Sequence, residues 1–443
     1  MDEPRQRPYR ALRHRDFRLL GTATLISIIG TQMQNVGIDW HIYVLTHSPL
    51  ALGAVGLVRV VPLIAFSMWG GIVADRHDRK RVQFTTQAIM ATIAVLLGIA
   101  TWMGRDAVWL VYLLTALTAA TNAFDAPARQ ALVPRLVSKE DLPGALSLNL
   151  TIMYVAMITG PALAGIVIGA SGGRAAHSTH GLAPLYFANA LSFVAVLVAL
   201  LSLQASGKPD PAANQREGWM ASLHAGWRFL FSRPIILWTM ALDFLATLFS
   251  GAISLLPIVA DQVLHVGATG YGWLRAAPGA GALLASVFTS VHPLPRRQGP
   301  LLLWSIAAYG AATVVYGFSH NLYLTVVALA FTGAADLVST VIRATIRQVL
   351  TPDELRERIT AFNMIFFIGG PQLGEMEAGF VAALFRTAAF GTMVSIMSGG
   401  AATLVIVVLV AMFAPVVRNY TLTLSEAAAS PAPIPTDSSP AQD

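Results

Sequence analysis

Runs of about twenty apolar residues, broken only by short charged stretches, leave a chain few ways to fold in water. Such runs occupy residues 17–45, 50–74, 82–103, 108–128, 144–170 and 183–203 in the first half. They return at 235–264, 270–291, 300–318, 322–342, 359–385 and 389–416 in the second. As helices rising 1.5 Å per residue, each reaches across roughly 30 Å of hydrocarbon. A spanning helix also satisfies its own backbone where no water is present. Hydrophobic residues make up 55% of the 443 and charged residues 12%, a balance typical of polytopic membrane proteins. The expected fold class is an all-α polytopic membrane protein with twelve transmembrane helices.

The placement of charge sets the orientation. With both termini cytoplasmic, all but five of the 29 Lys and Arg fall on the cytoplasmic side. The exceptions are Arg105, Arg174 and Arg386 on the other side, and Arg59 and Arg275 within helices. Positive loops are retained inside, so both termini are expected there. The net charge of +6 therefore serves topology; no zinc-finger spacing and no basic face with interleaved aromatics points to nucleic acid. The absence of cysteine excludes disulfides, thiolate metal sites and thiol nucleophiles. An Arg-rich start without a cleavage pattern marks the first helix as a retained anchor. The expected organisation is a cytoplasmic tail (1–16), a six-helix bundle (17–203), a cytoplasmic linker (204–234), a second bundle (235–416) and a disordered tail (417–443). In the linker, Trp219, Leu223, Trp227, Leu230 and Phe231 share a face beside Arg228 and Arg233, the pattern of an interfacial helix on the inner leaflet.

The halves repeat. Gly56-Leu57-Val58-Arg59-Val60-Val61-Pro62 returns 216 residues later as Gly272-Trp273-Leu274-Arg275-Ala276-Ala277-Pro278. Arg129-Gln130-Ala131-Leu132-Val133-Pro134 returns after 218 residues as Arg347-Gln348-Val349-Leu350-Thr351-Pro352, and Gly160-Pro161 after 210 as Gly370-Pro371. Two parallel six-helix units with a midplane site between them are the arrangement of a two-bundle secondary carrier.

One loop is more specific. Gly71-Ile72-Val73-Ala74-Asp75-Arg76-His77-Asp78-Arg79-Lys80-Arg81 puts six charges in seven residues between the second and third apolar runs. It resembles the loop between helices two and three of the major facilitator superfamily. That family usually has Gly at the position of Asp78, and Asp also tolerates left-handed turn geometry. The stretch 292–297 is a worn copy that keeps Arg296 and Arg297 but not the Asp. Gly160-Pro161 resembles the helix-five signature of the drug–proton antiporters, with Ala156 and Ala164 where glycines are expected. The stretches Asp125–Pro134 and Pro371–Glu375 look most like the branch of enterobactin exporters and macrolide pumps. The resemblance implies proton-driven export of siderophores, drugs or other amphipathic small molecules, by a monomer in a bacterial inner (plasma) membrane.

Ionisable groups inside helices are the first candidates for chemistry, because each costs several kcal/mol unless paired or hydrated. Asp39 and Arg59 flank the first external turn at similar depth, as an ion pair or a shared hydrated site; a purely structural pair is equally open. Asp261 and Arg275 are expected to repeat that arrangement on helices seven and eight. Glu375 and Glu377 point about 160° apart on their helix, so one is expected at the cavity and the other at a neighbouring helix. Proton coupling, capping of the broken backbone and pairing with Arg are all open to them. Asp125 pairs with Arg129 at i,i+4, unless Arg129 reaches Asp75. By resemblance, Gly71, Asp75, Arg76, Asp78, Arg79, Lys80, Asp125 and Arg129 form a cytoplasmic gating network, with Asp336, Arg343 and Arg347 as its second-half counterpart. Pro62, Gly160, Pro161, Pro278, Gly370 and Pro371 kink helices or let them approach closely. Trp40, Tyr43, Phe66 and Trp69 are candidate cavity aromatics or anchors of helices at the interface.

No enzyme class fits, and no Gly-Lys-Ser/Thr phosphate loop is present. The expected function is secondary active transport by alternating access, driven by the proton gradient with no cofactor and no metal. An importer, an uncoupled facilitator and a non-transporting membrane sensor on the same scaffold are the alternatives. The expected partners are a small-molecule substrate and the lipid bilayer.

Overall fold

The computed structural model describes residues 8–171, 179–208, 227–292 and 294–422. Trp219 and Leu223 of the expected interfacial helix lie outside them, while 227–232 are helical. Helices α1 (Arg15–Thr46), α2 (Pro49–Arg76), α3 (Arg79–Trp102), α4 (Val108–Leu132), α5 (Leu142–Ala170) and α6 (Ala183–Ser202) make the first half. The second half holds α7 (Pro234–Ser250), α8 (Gly267–Val291), α9 (Gln298–Phe318), α10 (Leu322–Leu350), α11 (Asp353–Ala383) and α12 (Ala388–Phe413). Ends are set locally. Ser48 caps α2 by accepting from Ala51 N, with Pro49 at the first position, and Asn321 caps α10 through Tyr323 N and Leu324 N.

Ten of the helical segments are long and apolar enough to cross a membrane. Helices α1 and α11 are as long, at 32 and 31 residues, but too polar by composition. The reason lies in what they face: Gln34, Asn35 and Asp39 on α1, and Gln372 and Glu375 on α11, point into the protein. The expected seventh span is also not one continuous α-helix. After Ser250 it passes through a 3-10 turn (Ala252–Leu255) and ends in a π-turn (Val259–Val263).

Helices α1–α6 pack as one bundle and α7–α12 as another, joined mainly by α5 on α8 and α2 on α11. A pseudo-twofold relation between the halves exchanges those two contacts, as the sequence repeat requires. Each close approach uses glycine. A Cβ on Gly272 would lie 2.7 Å from Gly165 Cα, and one on Gly53 2.9 Å from Gly379 Cα.

The apolar core shows how the bundles meet. At the end holding the α1–α2 turn, a single cluster runs through both halves and includes Trp40, Tyr43, Leu255, Ile258 and Tyr271. At the opposite, basic end the halves keep separate clusters, one around Leu20, Leu132 and Leu200 and one around Ile236, Ile342 and Ile359. The bundles are thus sealed together at one end and parted at the other.

Candidate functional site

The seal is built on charge. Asp39 is fully buried and accepts from Arg59 Nη2 at 3.0 Å. Its other oxygen lies 3.5 Å from Arg275 Nη2 and 3.5 Å from the Tyr271 hydroxyl. Glu375 Oε2 lies 4.0 Å from Arg59 Nη1 and is buried without a hydrogen bond. Two carboxylates and two guanidinium groups from α1, α2, α8 and α11 therefore balance one another across the bundle interface. Removed from water, such a cluster holds only while all partners remain. Trp40 stacks on Tyr271 at 5.5 Å and tilts against Tyr43, also at 5.5 Å.

The expected Asp39–Arg59 pair is present. The expected Asp261–Arg275 pair is not: Arg275 crosses to Asp39, and Asp261 accepts from the Tyr43 hydroxyl at 2.5 Å. The break after Ser250 and the π-turn turn Asp261 towards α1 instead of α8. Glu375 and Glu377 part as their spacing dictates. Glu375 joins the cluster, while Glu377 is half-buried with no ion pair among the described residues.

From this cluster a cavity of about 840 Å³ leads towards the basic end. Its deep wall holds Asn35, Arg59 and Gln372, and its mouth Asp125, Arg129 and Leu146. All but Ile368 and Gln372 of the lining comes from the first half. None of the four expected aromatics lines it: Trp40 and Tyr43 are in the seal, and Phe66 and Trp69 are exposed on the outer surface of α2.

At the basic end the expected network is mostly apart. Asp75 is exposed and makes no ion pair with a described residue, as is Arg76. Arg129 stays with Asp125 at 3.7 Å and does not reach Asp75. Asp125 is buried and accepts from Thr86 Oγ1 at 2.8 Å and Gln87 Nε2 at 3.0 Å. Gly71 has open space around it. Asp78 is not in a left-handed turn; with φ −62° it caps α3 by accepting from Lys80 N and Arg81 N. Glycine is also accepted at an N-cap, but it supplies no side-chain acceptor for those two N–H groups. Arg79 and Lys80 hold the start of the linker, Arg79 N donating to Gly207 O at 2.9 Å and Lys80 Nζ to Leu203 O at 2.9 Å.

In the second half Arg343 pairs with Asp243 of α7, which is buried, and lies 3.8 Å from Asp336. Arg347 makes no ion pair among the described residues. Pro62, Pro161, Pro278 and Pro371 all lie inside continuous helices. A Cβ on Gly160 would lie 2.5 Å from Gln32 Cβ of α1, and one on Gly370 2.3 Å from Thr247 Oγ1 of α7, equivalent approaches in the two halves.

Two buried groups escaped the sequence reading. Asp243 is a lone carboxylate in an apolar run, a signal by the rule that flagged Asp39. His41 is fully buried, with Nδ1 2.9 Å from the Tyr186 hydroxyl and Nε2 2.8 Å from Asp106 Oδ2. In the α3–α4 loop, burial pushes the Asp106 carboxyl up, but hydrogen bonds from His41 and Thr179 outweigh it and hold the group below the usual carboxylate range.

A family model described as transmembrane secretion effectors, within the major facilitator superfamily, matches residues 6–436. The chain belongs to this family. The chain is 27% identical over 417 residues to the enterobactin exporter EntS of Escherichia coli K12, covering 94% of this chain and 96% of that protein. The same identity and coverage hold for EntS of Shigella boydii. Among solved structures, a bacterial homologue of the human lysosomal transporter Spinster, inward-facing and unoccupied, superimposes with a TM-score of 0.70 at 15% identity over 93% of this chain and 97% of that one. The nucleoside transporter NupG gives 0.67 at 14% identity over 90% and 99%. These likenesses confirm the fold expected from the repeat. The family is one of transporters rather than enzymes, and the chain is a multi-pass protein of the cell membrane.

Proposed function

We propose that the chain is a proton-coupled exporter of amphipathic small molecules, a monomer of the inner membrane with twelve crossings and both termini in the cytoplasm. The basic end is then the cytoplasmic one, and the cavity opens to the cell interior. The observation that carries the reading is the position of Glu375. Its Oε2 is buried without a hydrogen bond beside Arg59, at the closed end of the cavity and on the interface between the bundles. A carboxylate so placed changes the charge balance of the seal when it gains or loses a proton.

Substrate enters the cavity from the cytoplasm as the carboxylate releases its proton there. The bundles then rock about the α2–α11 and α5–α8 contacts, breaking the Arg275–Asp39 and Arg59–Glu375 links and opening the far end. Release of substrate lets the carboxylate take up a proton from outside, and the protonated carrier returns. In the outward-open state Asp75 and Gly71 close against the second bundle. The relation to EntS supports the outward direction of transport, and the proton gradient replaces any cofactor.

Purified protein in proteoliposomes with an internal pH probe tests this. Uncharged catechol and macrolactone compounds are expected to drive proton movement that disappears in Glu375→Gln or Asp39→Asn. Compound movement without proton flux overturns the coupling and leaves a facilitator.

A further inference from the structure

The cavity wall carries three charged side chains among the described residues, and each already faces an opposite charge. Arg59 is 3.0 Å from Asp39 and 4.0 Å from Glu375, and Arg129 is 3.7 Å from Asp125. What remains to meet a ligand is a set of side-chain carboxamides. Asn122 and Asn149 line the cavity with no hydrogen bond to a described residue. Gln87 and Gln372 also line it, although their Oε1 atoms are buried out of a ligand's reach. Asn189 and Gln34 bond to each other at 2.8 Å at its side. A carboxamide both donates and accepts, and its oxygen and nitrogen ends exchange by a flip. It matches carbonyl and hydroxyl groups equally well and offers no net charge. The apolar lining is aliphatic or Met apart from Phe193, so no aromatic cage awaits an ammonium group.

We infer that this cavity selects uncharged, carbonyl- and hydroxyl-rich amphipathic molecules, and that Asn122 and Asn149 of the first bundle are specificity-determining residues. An organic cation would enter without an unpaired carboxylate to receive it, and would have to break the Asp125–Arg129 pair to gain one. An anion meets the same obstacle at Arg59. Desolvating an unpaired ion in such a site is the term that rejects it. A neutral polycarbonyl compound instead exchanges the water on Asn122, which is exposed, and on half-buried Asn149 for its own carbonyl and hydroxyl groups without stranding a charge. The inference rests on the transport reading above but is tested without a gradient.

The test is calorimetric binding to the full chain in detergent micelles, with two probes that share one ring. One is an uncharged macrolactone aglycone; the other is its amino-sugar glycoside, a cation at neutral pH. The aglycone is expected to bind about tenfold more tightly or better. Asn149→Leu and Asn122→Leu are each expected to weaken the aglycone by a similar factor. Asn149→Asp is expected to reverse the order, admitting the glycoside and weakening the aglycone, a gain that an unfolded variant cannot give. Equal or tighter binding of the glycoside to the unaltered protein overturns the inference, as does binding of neither probe or an aglycone affinity unmoved by both Leu variants. Proton flux in vesicles fails or succeeds separately: aglycone binding without flux sinks the coupling and leaves the selectivity standing.

Discussion

The same helices run through both ends of the molecule, yet the two ends are held in different ways. The far end is sealed by one apolar cluster, by glycine contacts between α2 and α11 and between α5 and α8, and by the Asp39–Arg59–Arg275–Glu375 ions. The basic end has twin clusters, an exposed Asp75 and open space at Gly71. A charge network that is assembled at one end and scattered at the other fits the alternation proposed above. The lesson is that a conformational state is written less in the helices than in which carboxylates have found their partners.

The largest expected effect comes from Asp39→Ala. It leaves two partly buried guanidinium groups without their shared carboxylate, at a cost of up to roughly 3 kcal/mol to the sealed state. The chain has no cysteine, so Ala268→Cys, a buried position at the sealed end, reports opening cleanly by its reaction with a membrane-impermeant maleimide. Labelling is expected to rise by orders of magnitude in Asp39→Ala. Unchanged labelling would mean that apolar packing alone holds this end.

Glycine contacts come next. Gly272→Val forces methyl groups against Gly165 and is expected to cost about 1–3 kcal/mol by overpacking. It should lower the unfolding temperature and favour a parted far end. Gly71→Ala meets nothing within 4 Å and replaces a glycine inside α2, so the stability of this state should hold or rise by up to about 1 kcal/mol while turnover slows. Equal loss of thermal stability in both variants would erase the contrast between the ends.

The fold and part of the site were legible in the sequence for a physical reason. Hydrophobic run lengths and the repeats around Arg59/Arg275 and Gly160/Gly370 fix how deep a residue sits, so the Asp39–Arg59 pair could be placed from the turn between its helices. Rotation about the helix axis and partners in the other bundle are not encoded in spacing. Spacing therefore matches Arg275 to Asp261, whereas it pairs with Asp39, and it sets Trp40 in the cavity, whereas the ring closes the seal against Tyr271. The π-turn at Val259–Val263 carries no strong sequence mark, and it redirects Asp261. Asp243 and His41 needed only the rule already in use for ionisable groups in apolar helices.

His41 and Asp106 sharpen the comparison within the sealed end, because their bond ties α1 to the α3–α4 loop without crossing between bundles. Asp106 has its carboxyl pKa depressed in the folded protein. Its contribution is therefore present above the unfolded carboxylate value near 4 and is lost as pH falls through the lower folded value. Asp106→Asn is expected to lower the unfolding temperature at neutral pH and to flatten its fall as pH drops below about 4. An unaltered acid profile would show that other carboxylates carry that loss.

The smallest effect is expected where the basic end holds the linker. Lys80 Nζ donates to Leu203 O, and Arg79 N to Gly207 O, in a region open to water. Lys80→Ala removes a charge-assisted bond but leaves the backbone bond from Arg79, so a loss of about 1 kcal/mol or less is expected. Global unfolding should scarcely move, while amide exchange over 203–208 should quicken several-fold. Because these contacts lie within the first half and its linker, they should persist whichever end is open. Exchange over 203–208 should then be indifferent to Asp39→Ala, although that substitution unlocks the far end. If it quickens there too, the linker is coupled to the seal, and the two ends are not independent in how they are held.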